Sequence, residues 1–330
     1  MKERVLITGA SGFVGYHLIE AALQSGLEVH AAVRPSSEVA HLKPFDIQYT
    51  SLDYTDAEAL VEELEEKQYH YIIHAAGTTK AKNALAYTRI NAGYTKALGQ
   101  AAAGAKIPLK KFVFLSSLAA LGPITYQDMK PIDEQSMAKP VTDYGRSKLL
   151  AEKHLSEIER LPLVVLRPTA VYGPREKDIF ILFKTLNSGL DPYISKQAQR
   201  LSFIYVKDLA KAVIQALGLK EHHVTYNLSD GNCYDRYALA NITKRVLGKK
   251  AVRFHLPMIV VRVVAQVLEA AFASRSKVPA LNKEKLNELT AENWNCSIEK
   301  ISKEMGYVPE YDLEKGLVQT LQWYKENSWL

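Results

Sequence analysis

Short apolar-rich runs recur along the chain at 4–7, 28–33, 47–50, 70–74, 111–115 and 163–167. Runs of this length, such as Val5-Leu6-Ile7 and Phe112-Val113-Phe114-Leu115, suit strands buried on both faces. Between them, apolar residues return at helical spacing, at about 13–25, 56–67, 84–104 and 143–160. In the first of these helices Val14, Leu18, Ala21 and Ala22 share the inward face. Asp56 is placed to cap the second, with Glu58, Glu62 and Glu63 in its early turns. Strand and helix in alternation predict an α/β fold, a doubly wound parallel sheet covered by helices on both faces. Beyond Gly173-Pro174 the periodicity turns irregular.

The first strand runs directly into Thr8-Gly9-Ala10-Ser11-Gly12-Phe13-Val14-Gly15. Gly9 suits a tight turn out of the strand, Gly12 a close approach of backbone N–H groups to a pyrophosphate, and Gly15 close packing of helix on strand. Ser11, Phe13 and Val14 lie where the loop enters the helix, whose free N–H groups and partial positive charge favour phosphate. The plain alternative is a glycine-rich turn without a ligand.

The second strand ends in Val33-Arg34. A site specific for NAD usually ends this strand in Asp or Glu, which accepts from the ribose 2′-hydroxyl. Here Arg34, with Ser36 and Ser37 behind it, favours the 2′-phosphate of NADP(H). The alternative is NAD(H), with Arg34 a solvated loop residue.

Far downstream stands Tyr144-Gly145-Arg146-Ser147-Lys148. On a helix, Tyr144 and Lys148 share one face, one turn apart. A phenol titrates near ~10, and a neighbouring ammonium is expected to lower that value. Tyr144 then exchanges a proton with a carbonyl or hydroxyl oxygen. The strand at 111–115 ends in Ser116-Ser117, where ligands of open α/β sheets gather. Glycine loop and tyrosine–lysine pair, in this order, point to a nicotinamide dinucleotide with hydride chemistry beside it.

Composition narrows the partners. The net charge of +6 is spread along the chain, and Lys110-Lys111 and Lys249-Lys250 read as short solvated patches. No nucleic-acid partner is expected. Two cysteines outside any CxxC pair fit a reduced, cytoplasmic setting. Nine histidines without HExxH spacing predict no metal site. Residues 4–7 are too short an apolar run for a secretory leader. The segment Pro257–Ala273 is strongly apolar, broken by Arg262, Gln266 and Glu269. It is too short and too charged for stable membrane insertion. A helix over the substrate pocket is expected, with a dimer surface or a membrane-leaning helix as alternatives.

These residues as a set resemble the extended short-chain dehydrogenase/reductase family, also called the NAD-dependent epimerase/dehydratase family. The resemblance spans nearly the whole chain. It includes the glycine loop, Asp53 and Tyr54 after the third strand, His74-Ala75-Ala76-Gly77, Asn91-Ala92-Gly93, and Leu115-Ser116-Ser117. It continues through Tyr144 to Lys148, Leu166-Arg167-Pro168-Thr169-Ala170-Val171-Tyr172-Gly173-Pro174, and Phe203 to Ala210. The resemblance implies a Rossmann-type sheet and a smaller, discontinuous C-terminal substrate domain. Residues 1–170 with 200–225 would bind the dinucleotide, and 171–199 with 226–330 the substrate. It implies that the 203–217 strand and helix return to the sheet. Ser117, Tyr144 and Lys148 take the catalytic roles. Lys148 also holds the nicotinamide ribose. Asp53 and Tyr54 lie near the adenine; Ala75, Ala76, Gly77, Asn91, Ser116, Pro168 and Val171 line the cofactor. A homodimer through the helices near 84–104 and 143–160 is implied as well.

Two departures separate the possible reactions. Leu118-Ala119 follow Ser117 where sugar-nucleotide 4,6-dehydratases carry Asp-Glu. Leu201-Ser202-Phe203 stands where many nucleotide-sugar enzymes carry Arg-Asp-Phe, and Arg200 is one place early. With Val33-Arg34, this resembles the dihydroflavonol reductase and 3β-hydroxysteroid dehydrogenase branches. The expected enzyme is an NAD(P)-dependent oxidoreductase, reducing a carbonyl or oxidising an alcohol of a small, fairly apolar molecule. The alternatives are a nucleotide-sugar epimerase that keeps NAD bound and a non-catalytic dinucleotide-binding sensor or scaffold.

Overall fold

The computed structural model describes residues 2–272 and 282–330. Seven strands form one parallel sheet: β1 (Arg4–Thr8), β2 (Glu28–Ala32), β3 (Gln48–Thr50), β4 (Tyr71–His74), β5 (Lys111–Leu115), β6 (Leu163–Pro168) and β7 (Val224–Leu228). Their spatial order is β3-β2-β1-β4-β5-β6-β7. The winding direction reverses between β1 and β4, and such reversals open a crevice at the carboxyl ends of the strands. In register there, Ala32 pairs with Thr8, Thr8 with His74, and His74 with Phe114.

Helices cover both faces. On one, α1 (Phe13–Gln24) and α5 (Val206–Leu217) bury Leu18, Ile19, Leu209 and Val213 against Val5, Ile7 and Val164. On the other, α2 (Ala57–Lys67), α3 (Tyr94–Gly104) and α4 (Asp143–Ser156) bury Leu60, Leu98 and Leu155 against Phe112 and Phe114. Full burial of one such Leu or Phe side chain contributes roughly 1.5–3 kcal/mol. Asp56 caps α2 as its position suggests, accepting from the Ala59 N–H at 3.0 Å. A third cluster gathers Tyr172, Phe183, Tyr205, Leu317, Leu321 and Tyr324 around the late helix Leu313–Glu326. The Tyr324 hydroxyl ties it down, donating to the Glu176 carbonyl at 2.7 Å.

Three expectations need revision. The strand at Phe203–Tyr205 does not rejoin the main sheet but pairs with Ala170–Tyr172 in a sheet of its own. The strand that does return is β7, beside β6. The helix expected over 84–104 is broken into Ala84–Tyr87, a wider π-helical turn at Thr88–Gly93, and α3. Lys111 is not solvated: it is buried, its ammonium donating to the Glu221 carbonyl at 3.0 Å. The apolar segment forms α6 (Met258–Phe272), with Val261 and Ala265 buried but Ile259, Val263 and Val267 exposed. Ala273 lies outside the described residues.

Candidate active site

The glycine loop is built for close approach. Gly9 has a φ of +70°, and a Cβ there would meet the Ala75 carbonyl oxygen at 2.7 Å. A Cβ at Gly15 would lie 2.2 Å from the Gly9 oxygen. The start of α1 has no side-chain cap, so the N–H groups at Phe13 and Val14 are left for a ligand. At the end of β6 the buried Thr169 hydroxyl has no partner among the described residues. An uncapped helix start beside backbone that tolerates no side chain, with an unfilled hydroxyl farther along the row of strand ends, fits a dinucleotide. Gly9, Ser11, Gly12, Phe13, Val14 and Gly15 would hold its pyrophosphate.

Behind this loop a buried hydrogen-bond chain fixes the strand ends. The Thr95 hydroxyl donates to the Asn91 carbonyl at 2.7 Å. It therefore accepts from His74 Nε2 at 2.8 Å, which leaves His74 Nδ1 to accept from the Thr8 hydroxyl at 2.7 Å. Thr8 in turn accepts the Ala76 N–H at 3.1 Å. Burial, and then the Lys148 charge, push the His74 pKa down to about 3. Thr8 and Thr95 carry no mark in the sequence beyond their places at a strand end and on a helix.

At the ends of β2 and β3 lies a cleft of about 360 Å³, lined by Val33, Arg34, Ser37, Val39, Tyr49 and Thr50 among others. Arg34 is exposed and forms no ion pair with a described residue. Its N–H donates to the Ser37 hydroxyl at 3.1 Å, so the loop curls back on itself. Asp53 turns its carboxylate to the Thr55 N–H, at 2.9 Å, and hydroxyl. Tyr54 stacks on Tyr94, with ring centroids 5.2 Å apart.

Asn91 sits on the π-helical turn and is fully buried. Its side chain accepts the Thr78 N–H at 2.7 Å and donates to the Thr78 carbonyl and the Ser147 hydroxyl, each at 2.9 Å. One side chain thus clamps the loop after Gly77 to the helix carrying Tyr144 and Lys148. π-turns inside helices often serve such sites.

Ser117 lies against the Tyr144 phenol, and Lys148 stands one helical turn beyond Tyr144. Thr142 caps α4, accepting the Gly145 N–H at 3.0 Å, and Glu284 accepts the Asp143 N–H. Ser117 opens a tight turn over Leu118–Ala120, its hydroxyl accepting the Ala119 N–H at 3.2 Å. The expectation that Lys148 lowers the Tyr144 pKa is not met. Burial dominates and pushes the phenol up to about 12, while the Ser117 hydroxyl pulls the other way. Lys148 donates to the Leu115 carbonyl at 2.7 Å and stands 4.8 Å from the centre of the Phe114 ring. Burial lowers its own pKa to about 8, against the pull of Glu152.

Ser116 is spoken for: its buried hydroxyl donates to Glu152. The same carboxylate receives Arg167 through Nε at 2.9 Å and Nη2 at 2.5 Å. Beyond its backbone, Ser116 therefore offers a cofactor only a hydroxyl oxygen that can accept. Pro168, buried, and Val171, partly exposed, bracket the end of β6.

Both sequence departures have a structural counterpart. Leu118 is buried with Leu121, Ile132 and Cys296, and Trp294 packs against them. Arg200 is held elsewhere, 4.8 Å from the centre of the Tyr126 ring and donating to the Asp128 carbonyl at 3.2 Å. Ser202 is buried, accepting the Cys296 N–H at 3.2 Å.

The chain is 28% identical over 336 residues to a ceramide reductase of Caulobacter vibrioides, covering 99% of this chain and 96% of that one. It is 25% identical to a putative UDP-glucose 4-epimerase of Methanocaldococcus jannaschii, covering 98% and 99%. The crystal structure of UDP-glucose 4-epimerase from Thermotoga maritima with UDP-glucose shares the fold, with a TM-score of 0.81 at 20% identity over 98% and 99% of the two chains. The sequence profile of the NAD dependent epimerase/dehydratase family matches residues 5–229. With the glycine cradle at one end of the crevice and Ser117, Tyr144 and Lys148 at the other, the chain belongs to that enzyme family.

Proposed function

We propose that this enzyme is an NADP(H)-dependent carbonyl reductase for an apolar, long-chain ketone, or the reverse alcohol dehydrogenase. The observation that carries the reading is the ground behind Ser117. Where elimination of water would need a carboxylate pair, Leu118 and Ala119 form a buried apolar turn. The turn of Arg200 toward Tyr126 and Asp128 adds to it, because residues 201–203 hold no arginine for a sugar diphosphate. The kinship with a ceramide reductase supports the same substrate class. It also fits the dihydroflavonol reductase and 3β-hydroxysteroid dehydrogenase branches.

A bound nicotinamide supplies the hydride. Tyr144, held protonated at neutral pH by burial, donates its phenolic proton as the substrate oxygen gains negative charge. Ser117 donates a hydrogen bond to the same oxygen. Lys148 holds the nicotinamide ribose hydroxyls, and Ala75, Ala76, Gly77, Asn91, Pro168 and Val171 shape that end of the crevice. Arg34 receives the 2′-phosphate, while Asp53 and Tyr54 flank the adenine. Residues 1–170 with 200–225 serve the dinucleotide, extended to Leu228 so that β7 stays with its sheet, and 171–199 with the rest of the chain serve the substrate. Two copies pair through the faces of α3 and α4.

The test follows NADPH oxidation with ketones of increasing chain length, and UDP-glucose as the contrasting substrate. The expected result is a kcat/KM that rises with chain length. Tyr144→Phe then loses about 10²–10⁴-fold in kcat while keeping its cofactor affinity. Conversion of UDP-glucose with no net oxidation of cofactor would overturn the proposal.

A further inference from the structure

The start of the helix that carries Tyr144 is completed from far away in the chain. A helix leaves its first N–H groups without partners of its own. In α4 the first intrahelical bond runs from the Arg146 N–H to the Thr142 carbonyl, so the N–H groups of Asp143, Tyr144 and Gly145 need outside acceptors. The Thr142 hydroxyl takes the Gly145 N–H. Glu284, 141 residues downstream of Asp143, takes the Asp143 N–H, and the Tyr144 N–H pulls on the same carboxylate. The Asp143 side chain does not compete, because it pairs with Arg146 at 2.6 Å. A carboxylate at a helix start also meets the positive end of the helix dipole.

Helix α7 (Lys283–Thr290), which carries Glu284, is itself fixed. Asn282 caps it, accepting the Lys285 N–H at 2.8 Å, and Leu286 is buried. Glu269 of α6 accepts the Lys283 N–H at 2.8 Å. Toward its far end, the Glu288 carbonyl accepts from the Trp294 indole at 3.3 Å. Trp294 packs against Leu118 and Leu121, which belong to the turn that Ser117 opens. One helix from the late part of the chain therefore braces both elements of the site. It reaches the helix of Tyr144 through Glu284, and the turn of Ser117 through Trp294.

We infer that Glu284 is a positioning residue for the reaction: its carboxylate grips the first two N–H groups of α4 and so sets where the Tyr144 phenol stands relative to Ser117. The inference deepens the reductase reading and rests on it for the role of Tyr144. Tyr144 is the second residue of α4, so its backbone follows the grip. A shift of about 1 Å at such a group is enough to cost about 10²-fold. Burial, helped by the Asp143 charge, raises the Glu284 pKa against the pull of the two N–H groups and of Arg146. Tyr87, from the short helix at 84–87, faces the carboxylate as well, and on α7 itself Lys285 and Glu288 pair with each other at 3.0 Å. Glu284 therefore takes up a proton at a higher pH than an ordinary glutamate, and the grip weakens as it does so.

Hydrogen exchange and kinetics on the full chain test it together. Glu284→Ala should speed amide exchange in peptides covering the start of α4 at least about tenfold. With the ketone that serves best in the NADPH assay, the same variant should lose about 10–10²-fold in kcat, with KM and the Kd for NADPH within about twofold of the parent. Glu284→Gln keeps an acceptor oxygen but does not titrate. It should restore kcat at about pH 8 to within about threefold of the parent, and flatten the fall of kcat toward acid. Unchanged exchange in Glu284→Ala overturns the inference, whatever the substrate proves to be. So does a parental kcat in that variant, or an acid limb that runs parallel in Glu284→Gln and the parent. The reductase reading fails on different results: conversion of UDP-glucose without net cofactor oxidation, or full turnover of the ketone by Tyr144→Phe.

Discussion

Gly145 and Ala119 touch backbone to backbone: a Cβ at 145 would lie 2.3 Å from the Ala119 carbonyl oxygen. This contact holds the turn that begins at Ser117 against the helix that carries Tyr144. Gly145→Ala must push α4 away from that turn. The cost in stability is about 1–3 kcal/mol, as for other overpacked sites. Turnover should fall about 10²-fold, since misplacement by an ångström is enough. Urea unfolding and single-turnover kinetics check the two parts separately, and cofactor affinity should stay near that of the parent.

Arg34 supplies the test of cofactor choice. Arg34→Ala should raise the Kd for NADPH about tenfold, the loss of one charge-assisted pair, and leave that for NADH within about twofold. Fluorescence titration of the two reduced cofactors measures both. An equal loss for both would place Arg34 outside the 2′-phosphate contact.

The buried Glu152–Arg167 pair should show strong coupling. Arg167→Met alone leaves a carboxylate buried beside Ser116 and should cost about 3–5 kcal/mol. Joining it to Glu152→Leu should restore most of that loss. A double-mutant cycle in urea gives the coupling directly. Simple additivity would mean that the pair is solvated in the native protein.

His74 makes stability depend on pH. Its folded pKa of about 3 lies below the ordinary 6.5, so the unfolded chain binds a proton that the native protein does not. The contribution is whole above pH 6.5 and is lost as pH falls from 6.5 toward 3. Between neutral pH and pH 5 the loss is about 2 kcal/mol. His74→Gln starts from lower stability but should flatten that slope. Unfolding midpoints at a series of pH values show it, and parallel slopes in the two proteins would remove His74 as the cause.

The sheet was legible in the chain because β1, β4, β5 and β6 are short, apolar and buried on both faces. The glycine loop was legible because its chemistry is local. What the chain hid depends on distant partners. Asn91 widens its helix into a π-turn to reach Thr78 and Ser147, 56 residues apart from it in the latter case. No periodicity announces that. Phe203–Tyr205 has the composition of a sheet strand, yet Ala170–Tyr172 takes its hydrogen bonds. The four-residue spacing of Tyr144 and Lys148 says that they share a face. It does not say that the ammonium turns to the Leu115 carbonyl, which leaves burial to set the phenol's pKa.

The Thr8–His74–Thr95 chain has only one internally consistent arrangement of hydrogens, so the imidazole carries its proton on Nε2 and cannot turn over without breaking both of its bonds. That proton is sealed from water by β1, β4 and α3. It exchanges only when these elements part. Its lifetime in heavy water is therefore a clock, readable by NMR at a single atom, for how often the dinucleotide crevice comes open.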